Sequence, residues 1–329
     1  MTSACKEKIL DALFSAGYDA IAVAGPTASG KTGLSIALSR LLGGEVISCD
    51  SMQIYEGMDI ATAKVTQEEM GEIAHHLIDI CPLCRTYSAA DYVTDALGAI
   101  RDIRERGKLP VFCGGTGLYL ESVMRGQYPE ASESDEALRE QLFSYAAEHG
   151  NAALHDMLRE LDFESAEAIH ENNVKRVVRA IEIIKSSGMK KSELDRLHSE
   201  MKGPKIFSVY LGFDDRELLY SRIECRVDMM LEAGIVEELR ALMSDDAFMN
   251  NATAVQAIGY KELFPYMRGE ASLESCIEEL KRATRRYAKR QLTWFSRREY
   301  MHRLVCDADA EMKSPDRLVT EYLDMILQK

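Results

Sequence analysis

Apolar positions along the first 120 residues fall into two alternating kinds of run. Ala20 to Ala24, Glu45 to Ser48, His76 to Ile80 and Leu109 to Cys113 are short blocks with strand character. Between them the apolar spacing lengthens to that of a helix, over Lys31 to Leu42 and Ala89 to Arg106. Strands separated by helix-length segments predict βαβ units and a parallel sheet, whose ligands collect at the carboxyl ends of the strands.

From Gly126 to Pro204 the pattern becomes helix after helix with high charge. Val174, Val177, Val178, Ile181 and Ile184 recur at helical spacing and form a stripe to be buried, while Lys175, Arg176 and Arg179 cluster elsewhere on the same helix. Strand character returns at Ser208 to Phe213, helices dominate from Glu217 to Arg298, and a strand at Leu304 to Cys306 precedes a helix from about Asp316. The predicted fold is α/β, a parallel sheet flanked by helices, and the glycine-rich Gly25-Pro26-Thr27-Ala28-Ser29-Gly30-Lys31-Thr32 directly after the first strand makes it P-loop NTPase-like. Its core comprises 1–125 and 205–329, and 126–204 is an all-helical insertion.

Composition narrows the class. Of 329 residues, 46% are hydrophobic and 29% charged, the mix of a globular enzyme. No apolar stretch approaches the roughly 18 residues of a membrane span. The N-terminal run is too broken by polar residues for a secretory segment, so the cytoplasm is the expected location. The eight cysteines lack the density of a disulfide-stapled domain, and the one CxxC, Cys81 to Cys84, has no second ligand pair to complete a zinc site. A net charge of −14 argues against a nucleic-acid partner, yet Lys281 to Arg303 holds nine Lys or Arg and one Glu. Tyr287, Trp294 and Tyr300 interleave with those charges, a mixture suited to phosphate neutralisation and base stacking as well as to a solvated helix face.

The most specific signal is Gly25-Pro26-Thr27-Ala28-Ser29-Gly30-Lys31-Thr32, a G-x-x-x-x-G-K-T between a strand and a helix. Its amides turn inward on an anion, the helix N-terminus adds positive potential, Lys31 adds a charge, and the Thr32 hydroxyl can ligate Mg²⁺. Asp50 follows the second strand on the same sheet edge, placed to bind a metal, accept a proton or simply cap a turn. After the fourth strand comes Cys113-Gly114-Gly115-Thr116-Gly117 instead of the aspartate of a nucleotide hydrolase. Its glycines permit close backbone approach to a ligand, and the Thr116 hydroxyl can bond one. Asp214, after the strand that ends at Phe213, remains the metal-positioning aspartate a kinase would need.

GPTASGKT, DSMQIYEGMDIATAK, HHLIDI, YSAADY, GGTGLY, QAIGYKE and TRRYAKRQLTWF resemble, in order and spacing, the motifs of tRNA dimethylallyltransferases, from about residue 20 to 300. The resemblance implies that Gly25 to Thr32 hold the diphosphate of dimethylallyl diphosphate rather than ATP, with Mg²⁺ at Thr32 and Arg226 on the diphosphate. It makes Asp50 the general base for the exocyclic amine of the adenosine 3′ of the anticodon. It places contacts to the tRNA anticodon stem-loop at Asp50, Ser51, Met52, Gln53 and Thr116. Further contacts are implied at Lys175, Arg176, Val177, Val178 and Arg179 in the insertion, and at Gln256, Ala257, Ile258, Gly259, Tyr260 and Lys261. Cys49 departs from the family pattern and reads as a buried thiol. The C-terminus lacks a zinc-finger pattern, as expected of the bacterial type, and a monomer is expected.

Three other readings use the same phosphate loop. An adenylate isopentenyltransferase would prenylate free AMP, ADP or ATP; a small-molecule kinase would bind ATP; a non-catalytic RNA-binding protein would have no chemistry to lose. The insertion and the basic C-terminal segment favour a large RNA acceptor.

Overall fold

The computed structural model describes residues 2–126, 135–199 and 203–328. It divides into two compact units, Met1–Met124 with Pro204–Lys329, and Arg125–Gly203. The expected edges of the insertion adjoin 127–134 and 200–202, which lie outside the described residues. Among the described residues no helix is long and apolar enough to cross a membrane.

The first unit carries a six-stranded sheet of β1 (Ala20–Ala24), β2 (Gly44–Ser48), β3 (His75–His76), β4 (Leu109–Gly114), β5 (Ile206–Gly212) and β6 (Met301–Val305). Their order is β3-β2-β4-β1-β5-β6, and every pairing is parallel. Every residue of β1, β2, β4 and β5 is buried, which is why these strands read as apolar blocks rather than as alternating patterns. Ile21, Val23, Val111, Val209 and Leu211 share one core with Leu34 and Leu38 of the helix Lys31–Leu42. Ile9 and Leu13 of Ser3–Ser15 and Ile326 of Pro315–Leu327 join the same core. The Tyr322 hydroxyl reaches through it to donate to the Ala22 carbonyl at 3.1 Å.

Two strands differ from expectation. The third pairs through His75 and His76 with Val46 and Ile47, and then stops, because Leu77 and Asp79 take φ of 62° and 52°. Backbone in that region cannot continue a ladder, and Asp79 is held there by an ion pair with Lys64. The last strand begins at Met301, beside Ser208, rather than at Leu304. After it a small antiparallel pair, Asp307–Ala308 with Glu311–Met312, turns through Asp309 and Ala310, both at positive φ. No glycine marks that turn, so the sequence pattern does not announce it.

The second unit is helical, with Glu136–His149, Asn151–Leu161, Phe163–Ala168, Val174–Ser187 and Lys191–Ser199. Val177, Val178 and Ile181 of the expected stripe pack on Leu142, Leu154 and Leu158, with Val174 and Ile184 at the margin. A polar node ties the short helices together. The buried Asp162 carboxylate accepts from the backbone N–H and hydroxyl of both Ser165 and Ser192, at 2.6 to 3.1 Å. Burial alone would raise its pKa, but these four donors outweigh burial and hold it at about 2.

A folded-state pKa below the ordinary value stabilises the fold above pH 4 and loses that effect as pH falls from about 4 to 2. Unfolding free energies of the wild type and Asp162→Asn should therefore differ by about 2 kcal/mol near pH 6 and converge toward pH 2. A difference that stays constant across denaturant titrations from pH 6 to 2 would contradict this role.

Candidate active site

The strand order β2-β4-β1 aligns three carboxyl ends that are far apart in sequence. Register pairs Ser48 with Cys113 and Ala24 with Gly114, so the loops after these strands meet at one edge. They are the phosphate loop 25–30, the Asp50 turn and the segment Gly115 to Thr116.

In the phosphate loop the N–H groups of Ala28, Ser29, Gly30, Lys31 and Thr32 meet no backbone acceptor among the described residues. Such a run of unpaired donors at a helix N-terminus is an anion site. The Ser29 hydroxyl is fully buried with no partner, a further donor awaiting one. Lys31 Nζ folds back onto the Pro26 carbonyl at 3.1 Å. Burial lowers its pKa, and the Arg226 charge lowers it further. The Thr27 N–H is already taken by the Gln291 side chain at 3.0 Å, so only its hydroxyl remains for a ligand.

The helix Arg216–Glu232 lies against this loop through one face. Arg222 Nε donates to the Ala28 carbonyl at 2.8 Å, bracing a residue at φ 61°. Arg226, one turn on, makes no hydrogen bond or ion pair among the described residues, and its charge is felt at Lys31. Burial lowers its pKa while Asp50 opposes the shift. Lys31, Arg222 and Arg226 are half-buried here, and Arg226 feels the carboxylates of Asp50 and Glu69, which leaves three cations to two anions, an imbalance that an incoming diphosphate would offset.

Asp50 is also a turn residue, since its Oδ1 accepts from the Met52 N–H at 3.0 Å. The Ser51 N–H donates to Thr116 Oγ1 at 3.1 Å, and the Thr116 N–H donates to the Cys49 carbonyl at 3.1 Å, fastening the Asp50 turn to the loop after β4. Cys49 is a core thiol, as expected of its position, with burial pushing its pKa up to about 12. The Cys81 thiol is buried and the Cys84 thiol exposed; both are free.

Several expected contacts need correction. Gly114 and Gly115 approach the protein's own groups rather than a ligand: a Cβ would lie 2.0 Å from the Cys49 carbonyl oxygen at the first and 2.1 Å from Gln291 Nε2 at the second. Gln53 spends its amide on Ser48, Thr62 and Ala63. Val177 and Val178 are 0% and 2% exposed, so their side chains are core residues of the helical unit rather than a surface for tRNA. Arg179 pairs at 2.8 Å with the fully buried Glu182, which Arg139 also holds at 3.0 Å. Lys175 and Arg176 are exposed and carry no ion pair among the described residues.

In the segment 256–261, Gln256 and Lys261 are exposed and Ile258 is half-buried, whereas Ala257, Gly259 and Tyr260 are buried. Tyr260 donates to Glu238 at 2.6 Å, and that carboxylate accepts the N–H groups of Asp59, Ile60 and Ala61. These buried residues frame the loop that follows Asp50. Asp214 is paired with Arg303 at 2.6 Å and exposed, a surface role that removes the kinase's aspartate.

The basic segment is largely neutralised from within. Lys281 pairs with Asp228, Arg285 with Glu224, Arg282 and Arg286 with Glu279, Arg298 with Glu121, and Arg303 with Asp214. Lys289, Arg290 and Arg297 have no ion pair among the described residues. Trp294 packs on Gly117 and lies under the Arg298 guanidinium at 4.4 Å, so it is not a free stacking platform.

The parallel sheet and the glycine-rich loop at its carboxyl edge, with Lys31, Arg226 and Asp50 beside it, define an α/β protein of P-loop-like fold. The family model for IPP transferase matches residues 53–299. The chain is 47% identical over 276 residues to the tRNA dimethylallyltransferase of Bacillus pumilus, covering 84% of this chain and 86% of that protein. Identity to the enzyme of Bacillus velezensis is 48% over 276 residues, covering 84% and 87%. The crystal structure of the full-length tRNA isopentenylpyrophosphate transferase from Bacillus halodurans matches with a TM-score of 0.68 at 41% identity, covering 94% of this chain and 95% of that one. A eukaryotic dimethylallyltransferase acting on tRNA matches with a TM-score of 0.78 at 29% identity, covering 94% and 80%. The chain belongs to the IPP transferase family and is a prenyltransferase.

Arg179→Ala strips one of two cations from a buried carboxylate and should lower stability by about 1–3 kcal/mol. Arg176→Ala should stay within about 0.5 kcal/mol of wild type. Denaturant unfolding of both variants measures the contrast, and equal effects would remove the distinction.

Proposed function

We propose that this enzyme transfers a dimethylallyl group from dimethylallyl diphosphate to the exocyclic amine of the adenosine 3′ of the anticodon in tRNA, releasing diphosphate. The observation that carries this reading is the joining of phosphate loop, Arg226 and Asp50 at one sheet edge in a chain of this family. Diphosphate would lie on the free amides of Ala28 to Thr32 with Lys31 and Arg226 on its oxygens. The amine nitrogen attacks the first prenyl carbon, the carbon–oxygen bond to diphosphate breaks, and Asp50 takes the amine proton. An aromatic amine is a weak nucleophile, so proton removal, alignment and leaving-group stabilisation each lower the barrier.

Mg²⁺ fits this site as an ion carried in with the phosphate groups. Among the described residues no cluster of three or more His, Cys, Asp or Glu could cage it, and the Thr32 hydroxyl would hold it together with the diphosphate oxygens. When bound, it would offset charge on the leaving group. The target adenosine must leave its stack to reach Asp50, so the anticodon loop is the expected partner and the exposed Lys175 and Arg176 its phosphate contacts. A monomer acting in the cytoplasm accords with this role.

Wild-type protein with Mg²⁺ and radiolabelled dimethylallyl diphosphate should label unmodified tRNA and leave AMP, ADP and ATP unlabelled. Label on the free nucleotides would favour the adenylate enzyme instead. Asp50→Asn keeps the turn acceptor for Met52 but removes the base, so transfer should fall by about 10² or more with tRNA affinity nearly unchanged. Full activity in this variant would eliminate Asp50 as the base. Replacing Lys175 and Arg176 by Ala should weaken tRNA binding and flatten its salt dependence, the slope falling by about 0.7 to 0.9 for each phosphate no longer neutralised.

A further inference from the structure

Gln291 sits in the helix Leu273–Ser296, 5% exposed, between the two loops on which the proposed chemistry depends. Its Oε1 accepts the Thr27 N–H at 3.0 Å, and its Nε2 donates to the Gly115 carbonyl at 3.0 Å. The orientation of the amide is fixed by its partners, because a backbone N–H must meet an acceptor and a carbonyl must meet a donor. Three consequences coincide at this one side chain. It removes the Thr27 amide of the phosphate loop from anion binding. It occupies the space that any side chain at position 115 would need. It also sets the distance between the phosphate loop and Thr116, which holds the Asp50 turn through Ser51. Flanking residues Ala288 and Phe295 are buried, so the helix holds the amide at a fixed height against the sheet edge.

We propose that Gln291 is a positioning residue that fixes the register between the loop for the diphosphate and the loop carrying the proton acceptor. The inference rests on the functional reading above only for what each loop holds. A neutral group with both a donor and an acceptor is required here. A carboxylate keeps the acceptor for Thr27 but repels the Gly115 carbonyl, and protonation restores the donor.

The test is binding of inorganic diphosphate, followed by calorimetry from pH 8 to 5.5 in the full-length wild type, Gln291→Glu and Gln291→Met, together with kcat/KM for dimethylallyl diphosphate. Because diphosphate itself titrates, each variant is read as a ratio to wild type at the same pH. Gln291→Met, which retains volume and loses both bonds, should bind about tenfold more weakly at every pH. Gln291→Glu should show a similar deficit at pH 8 that narrows toward wild type as the pH falls through about 6 and the buried carboxyl protonates. A purely structural role predicts no such recovery.

Binding within twofold of wild type in both variants would overturn the proposal, as would a Gln291→Glu deficit independent of pH. Failure of both variants to fold would assign Gln291 to stability and overturn it too. A wild type that binds diphosphate but transfers no prenyl group would sink the functional reading while the affinity ratios still decide the role of Gln291. A wild type that binds no diphosphate would overturn both.

Discussion

Parallel pairing of β2, β4 and β1 is the constraint from which the site follows. Parallel strands all present their carboxyl ends on the same edge, so once β4 inserts between β2 and β1 the three following loops must adjoin. Full burial of these strands makes the arrangement costly to disturb, because slipping the register would carry the loops with it. The loops can then hold unpaired donors and a strained residue such as Ala28, since the fully buried, fully paired strands beneath them fix their ends.

Much of the polar chemistry around that edge is internal scaffolding. Glu238 gathers three backbone amides of the 59–61 segment, Arg222 braces Ala28, and Gln291 and Thr116 join neighbouring loops. Among the described residues, the groups left without a partner around this edge include the backbone N–H groups of residues 28–32, the Ser29 hydroxyl, the Arg226 guanidinium and the Trp294 indole N–H. Unsatisfied buried donors are destabilising, and their concentration around one anion-sized position marks where a ligand compensates them.

The same sorting separates a basic surface from a binding surface. Six of the nine cations between Lys281 and Arg303 are engaged by carboxylates of the same unit, so that segment contributes far less field than its composition implies. In the helical unit, Arg179 is tied to a buried carboxylate while Lys175 and Arg176, four and three positions earlier, stand in solvent. Charge counts along the chain do not distinguish these cases.

Local pattern determined a good deal by itself. Contiguous apolar blocks and helical spacing specified the parallel sheet and the buried stripe of Val177, Val178 and Ile181, because burial on two faces or one leaves a period in the sequence. The eight-residue phosphate loop was legible because its function resides in consecutive backbone amides. Partnership between distant residues leaves no such period. That Gln291 would fasten Thr27 to Gly115, that Asp214 would be claimed by Arg303 and that Tyr260 would be core were settled only by folding. A sequence records which groups can bond, and tertiary packing decides which of them have already done so.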